Sequence, residues 1–267
     1  MATPIKLARQ FGRQAFGENP TRYHTARPDY PEWVYATLVS LCGLCRDTAV
    51  FEIGAGTGTA TRRLLELGAN PLTAVEPDPR LADFLRATNP GNALNVIAAP
   101  FEEVPLPEGA FDLGVSATAF HWLNEDAALG KIARLLRPGG WWAATWNVFG
   151  DDSQPDPFHE ATKDLLGPPA NPSAGERGIP FALDSAARLA ALKQTGAFDV
   201  AEDRTSRWPL ILDADQTVAL YATYSNVIAR PDREDVLAEI GRIARDVFLN
   251  RVVRNMTTSL YVARRVG

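Results

Sequence analysis

Short apolar runs alternate with stretches of helical spacing along most of this chain. Residues 50–53, 72–76, 94–98, 111–116 and 141–146 have the length and composition of buried strands. Between them the apolar positions recur at three and four residues. Residues 59–67 predict a helix closed by Gly68, residues 80–88 a second, and residues 124–136 a third. In the third, Asn124 is a candidate cap, and Leu129, Ile132, Ala133 and Leu136 turn inward. Pro138-Gly139-Gly140 is expected to stop that helix and release the fifth strand. Ahead of the first strand, residues 31–46 carry helical spacing through Trp33, Val34, Leu38 and Leu41, with Pro31 in the first turn. Strands alternating with helices in this way predict a parallel sheet with right-handed crossovers.

Downstream the pattern changes. Residues 150–183 hold Pro155, Pro157, Pro168, Pro169, Pro172 and Pro180 with several glycines, which predicts an irregular insertion or lid. Residues 184–194 read as a helix capped by Asp184 and ended by Gly196. A strand is expected within 200–212 and another within 256–264, with two helices, 213–229 and 233–249, inserted between them on one face. No internal repeat is visible.

With 267 residues and 46% hydrophobic composition, the chain can bury a large core. The reading is one α/β domain over 1–267. Residues 1–35 form an N-terminal arm, 36–148 the core, and 150–183 with 213–250 the inserted lid segments. Lys+Arg 27 against Asp+Glu 32 leaves a net charge of -5, without the basic face a phosphate backbone requires, so nucleic acid is disfavoured. No apolar run approaches a membrane span and no signal-peptide pattern opens the chain, so a cytoplasmic protein is expected. Lys6, Arg9 and Arg13 lie in an amphipathic stretch that weakly resembles a transit segment. Cys42 and Cys45 form an isolated Cys-x-x-Cys among Leu38, Leu41 and Leu44. With no second pair and no nearby histidine, they read as buried thiols at a helix end, and no metal site is expected.

Candidate chemistry concentrates at Val50-Phe51-Glu52-Ile53-Gly54-Ala55-Gly56-Thr57-Gly58-Thr59. This is a buried strand, a glycine-dense turn and a helix start. Glycines at 54, 56 and 58 remove β-carbons from a ligand's path and permit positive φ, while free helix N–H groups face the same place. The dinucleotide fingerprint Gly-x-Gly-x-x-Gly fails at its last position, where Thr59 stands. Glu52 adds a carboxylate suited to an amino-acid-bearing ligand. The other reading is a tight strand–helix turn with no ligand. Glu76 ends the next strand, roughly twenty residues on, where nucleoside-binding folds place a ribose acceptor. Pro77 would leave its ring beside a base. Alternatively, Glu76 is an exposed loop carboxylate.

Taken in order, these pieces resemble the class I S-adenosylmethionine-dependent methyltransferases, and most closely the group acting on small molecules, which includes the aconitate and fatty-acid-type enzymes. The resemblance rests on Phe51-Glu52-Ile53-Gly54-Ala55-Gly56-Thr57-Gly58, Ala74-Val75-Glu76-Pro77-Asp78, and 105–112 with its Phe111-Asp112. It continues through Ala119-Phe120-His121-Trp122, Leu135-Leu136-Arg137-Pro138-Gly139-Gly140 and the N-terminal Tyr23-x-x-x-Arg27-Pro28-x-Tyr30-Pro31. The matching pieces run from 23 to 147, with a looser match at Tyr261-Val262-Ala263-Arg264.

The resemblance implies a Rossmann-like, doubly wound seven-stranded sheet, mostly parallel with the last strand antiparallel, and S-adenosyl-L-methionine at the carboxyl ends of the first strands. It implies that Gly54, Gly56 and Gly58 pass under the methionine part, with Glu52 behind the turn and Glu76 on the ribose. Pro77 and Asp78 would flank the adenine. An acid usually meets the adenine amine after the third strand. Pro100 stands there instead, and Phe101 offers its backbone N–H and its ring. Ser116 would face the sulfonium through its carbonyl, and Tyr23 would close over the cofactor.

Methyl transfer from a sulfonium is an in-line displacement, and a base is needed only when the nucleophile carries a proton. His121, just after the fourth strand, is the candidate base or substrate-orienting residue. Otherwise it caps the following helix or packs by Trp122. Arg27 suits an anionic substrate, or else it anchors the N-terminal arm together with Tyr23. Trp122 is a candidate pocket wall, whereas Trp141 and Trp142 are expected to pack in the core. Tyr221 and Tyr224, on one face of a predicted inserted helix, line a substrate chamber or else a helix–helix seam. The activity expected is methyl transfer to a small-molecule O, C or N acceptor. The alternatives are a cofactor-binding protein of the same fold without transfer, and an NAD(P)-dependent oxidoreductase, against which the misplaced third glycine and a missing Tyr-x-x-x-Lys pair both count.

Overall fold

A computed structural model describes residues 7–149, 153, 155–167, 172–175 and 178–267. Lys6 of the transit-like stretch, and Gly150, Pro168 and Pro169 of the expected lid, lie outside the described residues. The strands are β1 (Thr48–Ile53), β2 (Ala69–Val75), β3 (Leu94–Ile97), β4 (Phe111–Ala117), β5 (Leu136–Phe149), β6 (Phe198–Leu212) and β7 (Val252–Arg265). The helices are α1 (Pro20–Ala26), α2 (Glu32–Ser40), α3 (Thr59–Glu66), α4 (Pro79–Thr88), α5 (Glu125–Leu135), α6 (Pro157–Leu166), α7 (Ser185–Gln194), α8 (Ala214–Tyr221), α9 (Ser225–Ile228) and α10 (Arg233–Arg242).

The strands form one seven-stranded sheet in the order β3-β2-β1-β4-β5-β7-β6. Strands β1 to β5 pair in parallel, and β7 runs antiparallel to both β5 and β6. This is the Rossmann-like architecture expected. From β1 the chain winds outward through β2 and β3, then returns to place β4 on the other side of β1. That reversal opens a crevice at the strand ends, where ligands bind in doubly wound folds.

Every residue of β1 is buried, because helices cover both faces of the sheet. On one face Phe51 and Ile53 pack with Leu129 and Ile132 of α5 and Leu192 of α7. On the other, Val50 packs with Val34 and Leu38 of α2, Leu64 of α3 and Leu85 of α4. A third cluster joins Phe158 of α6, Tyr221 of α8 and Val236 and Ile240 of α10 into a helical cap.

Several elements differ from expectation. Helix α2 ends at Ser40, so Cys42 and Cys45 follow it as free thiols, the first buried and the second exposed. Pro138-Gly139-Gly140 does not separate helix from strand. Strand β5 begins at Leu136 and takes these residues as a register irregularity, with Gly139 at φ +77°. Part of the 150–183 segment is helical. Asp156 caps α6 by accepting from the His159 N–H at 2.7 Å, and Pro157 stands in the first turn. The helix expected over 213–229 breaks after Tyr221 into α8 and α9, and α10 passes into a π turn at Ile243–Val247. Strands β6 and β7 are longer than their apolar cores because they pair with each other along nearly their whole length. Among the described residues no helix is long and apolar enough to cross a membrane.

Candidate functional site

An open cavity of about 1110 Å³, including its solvent-open mouth, lies at the carboxyl ends of β1, β2, β4 and β5. Its floor is the turn after β1. Gly54 stands at φ +67°, and a β-carbon there would meet the Ala119 methyl at 2.3 Å. Gly56, at φ +59°, faces open space where a side chain would stand. Gly58, at φ +89°, is different. It does not line the cavity, and its missing β-carbon makes room for Leu85, so this glycine seats α3 against α4.

Two buried carboxylates back this floor. Glu52 lines the cavity and accepts the Thr61 hydroxyl at 2.6 Å. Burial, with a smaller push from the Glu76 charge, drives its carboxyl up to about 8 against the pull of that bond. Glu76 accepts the Gly56 N–H at 2.8 Å on Oε2 and the Asp78 N–H at 2.9 Å on Oε1. Burial lifts it to about 7, and those two N–H groups limit the rise. Each Glu76 oxygen keeps a lone pair beyond its backbone donor, so the carboxylate can accept two further hydroxyls.

Pro77 and Phe101 line the cavity on the β2 and β3 side. The Phe101 ring stacks on Phe51 with centroids 6.2 Å apart. Lys131 from α5 holds this wall, donating to the Phe101 carbonyl at 2.5 Å and the Val104 carbonyl at 2.6 Å, with its ammonium 4.7 Å from the Phe101 ring centre. Asp78 turns away from the cavity to cap α4, accepting the Arg80 N–H at 3.0 Å and pairing with the Arg80 guanidinium.

The N-terminal arm forms one wall. Tyr23, Arg27 and Tyr30 line the cavity together with Gly12 and Phe16. The Tyr23 ring lies 5.6 Å from Phe16, and a β-carbon on Gly12 would strike the Trp122 indole at 2.3 Å, so the arm lies directly against Trp122. Trp122 lines the cavity as expected of a wall residue. Ser116 does not. It is fully buried and donates its hydroxyl to the Ile53 carbonyl at 3.0 Å, while Ala117, Thr118 and Ala119 face the cavity in its place.

His121 is brought near the cavity but not into its lining. Its Nδ1 lies 3.1 Å from Trp146 Nε1. An indole N–H can only donate, so Nδ1 is the acceptor and the neutral ring carries its proton on Nε2. Burial, then the Arg27 charge, lowers the ring to about 3. With its lone pair engaged by Trp146 and its ring buried, His121 is a weak proton acceptor in this arrangement. Trp146 thus engages the one nitrogen that could serve as a base, and the ring packs 5.3 Å from Trp122, the alternative placement expected for His121. Tyr221 is buried in the helical cap and accepts from Arg254, and Tyr224 packs on it at 4.8 Å and on Phe149 at 5.1 Å. Neither lines the cavity; only Phe149 does. The two rings form the seam between α8, α9 and β5.

Sequence reasoning passed over Thr118 and Asn147. Thr118 lines the cavity at φ +58°, a costly conformation for a β-branched residue, held by its N–H on the Thr145 carbonyl at 2.7 Å. Its hydroxyl meets the Tyr30 hydroxyl at 2.6 Å and accepts the Asn147 N–H at 3.4 Å. Burial raises the Tyr30 phenol well above its ordinary range. Nothing local marks Thr118. Only its place after a strand facing the glycine turn could have drawn notice. Among the described residues no group of three His, Cys, Asp or Glu side chains could hold a metal ion.

Residues 51–144 match the family described as a methyltransferase domain. An uncharacterized methyltransferase of Mycobacterium tuberculosis is 35% identical over 134 residues, 50% of this chain and 52% of the relative. The malonyl-[acyl-carrier protein] O-methyltransferase of Pseudescherichia vulneris is 32% identical over 125 residues, 46% of this chain and 47% of the relative. The chain spans about half the length of the curated relatives it matches. Among solved structures, an N-methyltransferase of Haemonchus contortus in complex with phosphomonomethylethanolamine and S-adenosylhomocysteine superposes with a TM-score of 0.57 at 11% identity. That match covers 94% of this chain and 58% of the other, and shows a shared fold.

Proposed function

We propose that this chain, which carries a class I S-adenosylmethionine-dependent methyltransferase domain, transfers a methyl group to oxygen, carbon or nitrogen of a small-molecule acceptor. The observation that carries this reading is the empty glycine cradle at Gly56 beside the two-handed acceptor Glu76. The residues fit the cofactor. Glu76 would take the two ribose hydroxyls, Pro77 and the Phe101 ring would flank the adenine, and the turn from Gly54 to Gly56 would pass beneath the amino-acid part. Tyr23 and Trp122 would close the arm side.

The cofactor brings a methyl group on an already activated sulfur. The chain's contribution is to hold the acceptor in line and exclude water, an effect worth up to roughly 7–11 kcal/mol in favourable intramolecular cases. With the His121 lone pair engaged by Trp146, an acceptor that is already ionised at neutral pH suits this site. The relative from Pseudescherichia vulneris is named for O-methylation of a malonyl group, which supports that preference.

Calorimetry with S-adenosylhomocysteine and the purified chain tests the cofactor. Saturable binding is expected, with Glu76→Ala weakening it by more than about tenfold through loss of charge-assisted bonds. Release of S-adenosylhomocysteine from the methyl donor on adding an acceptor separates transfer from binding without transfer. Stabilisation by NAD(P) but not by S-adenosylhomocysteine would instead favour an oxidoreductase.

A further inference from the structure

Among the described residues, the Arg27 guanidinium pairs with no carboxylate. It follows α1, lines the cavity, and lies 5.1 Å, 5.4 Å and 5.6 Å from the ring centres of Tyr23, Phe149 and Tyr224. Its Nη2 donates to the Thr223 carbonyl at 2.7 Å. Its Nε is buried and without a partner, and among the described residues no carboxylate pairs with it. The contrast with Arg254 is direct. That guanidinium, buried in the neighbouring cap, meets Asp156 at 2.9 Å. Arg27 is partly buried, and a cation beside aromatic rings has lost part of its water, a loss that ring faces offset incompletely. The planar fork of an arginine matches a carboxylate.

Resting on the methyl-transfer reading, we propose that the acceptor carries a carboxylate and that Arg27 anchors it. The cofactor's amino-acid group is the other carboxylate that could meet this arginine. The sheet order favours the acceptor. Glu76 follows β2 and the glycine turn follows β1, whereas Phe149 ends β5, two places beyond β1 in the order β1-β4-β5. At about 4.8 Å between neighbouring strands, the axes of β1 and β5 lie about 10 Å apart. The remaining walls around Arg27 come from Thr223 and Tyr224 of the helical cap, which contributes nothing to the glycine and Glu76 end.

The test titrates the full chain, saturated with S-adenosylhomocysteine, with succinate, adipate and benzoate beside succinamide, adipamide and benzamide. At least one acid is expected to bind about tenfold or more tighter than its amide, Arg27→Gln to abolish that preference, and Arg27→Lys to restore part of it. Acids that bind no better than their amides, or a preference that survives Arg27→Gln in a variant of unchanged melting temperature, would overturn the proposal. A second arm compares S-adenosylhomocysteine with 5′-methylthioadenosine, which lacks the amino-acid carboxylate. Arg27→Gln is expected to leave the first within about twofold. If the variant bound both equally weakly, Arg27 would belong to the cofactor and the acceptor assignment would fall. A wild-type chain that takes up no S-adenosylhomocysteine overturns the transfer reading instead, and the acid–amide comparison on the unliganded chain still decides on Arg27.

Discussion

At the scale of single residues, three glycines in one turn do three different things. Gly54 gives way to Ala119, Gly56 leaves its space empty, and Gly58 gives way to Leu85. Their substitutions should therefore separate folding from binding. Gly56→Ala meets nothing in the protein and is expected to cost only the strain of positive φ, about 1–2 kcal/mol, while its methyl enters the cradle and removes S-adenosylhomocysteine binding. Gly58→Ala carries the same strain plus a clash with Leu85 at 2.4 Å, so it should melt at a lower temperature than Gly56→Ala. Paired melting curves and calorimetry check both outcomes, and equal melting temperatures would refute the contrast. The glycine pattern was legible because spacing reports backbone freedom. The engagement of His121 by Trp146 was not, because Trp146 reaches it from 25 positions away in the chain.

At the scale of elements, the helical cap is tied to the sheet by one buried charge pair. Asp156 starts α6, accepts from Asn255 N–H at 2.9 Å, and bonds to Arg254 of β7, which also donates to Tyr221 of α8. Removing one partner leaves the other charged and dry. Arg254→Met is expected to lower stability by about 3–5 kcal/mol, and adding Asp156→Asn should recover part of that, because Asn still caps α6. Urea titrations of the single and double variants check this. Proline counting read the 150–183 segment as irregular and so missed α6. Pro157 sits in the first turn, where a proline has no intrahelical bond to break. The break between α8 and α9 was likewise invisible, since apolar spacing continues across it. The ring packing of Tyr221 on Tyr224 survives the break.

At the scale of the molecule, two carboxylates buried at the crevice set a pH dependence. Glu52 rises to about 8 and Glu76 to about 7 from an ordinary 4.5, mainly through burial. A folded value above the unfolded one means the native state holds more protons between these limits, so stability falls as pH rises through them. The contribution is fully present below pH 4.5 and is lost as pH passes 7 and then 8. Gln at position 52 keeps an acceptor for Thr61 without the titration. Glu52→Gln should therefore gain on the parent as pH rises from about 5 to 8.5, by at least roughly 3 °C in melting temperature at the upper end. A gap that is constant with pH would count against the buried charge.

The sequence by itself determined the parallel core from β1 to β5, the glycine turn and the acid that follows β2. Each of these is a local demand: strand length, backbone freedom, or a carboxylate next to a bend. Tertiary structure alone decided which residues share the crevice. It set Thr118 against Tyr30, gave the lone pair of His121 to Trp146, seated Gly58 on α4, and left Arg27 among three rings with no paired carboxylate among the described residues. Those pairings join positions up to 200 residues apart, such as Arg27 with Thr223, whose |i−j| is 196. No spacing along the chain encodes them, because they exist only once the sheet has brought its strand ends to one edge.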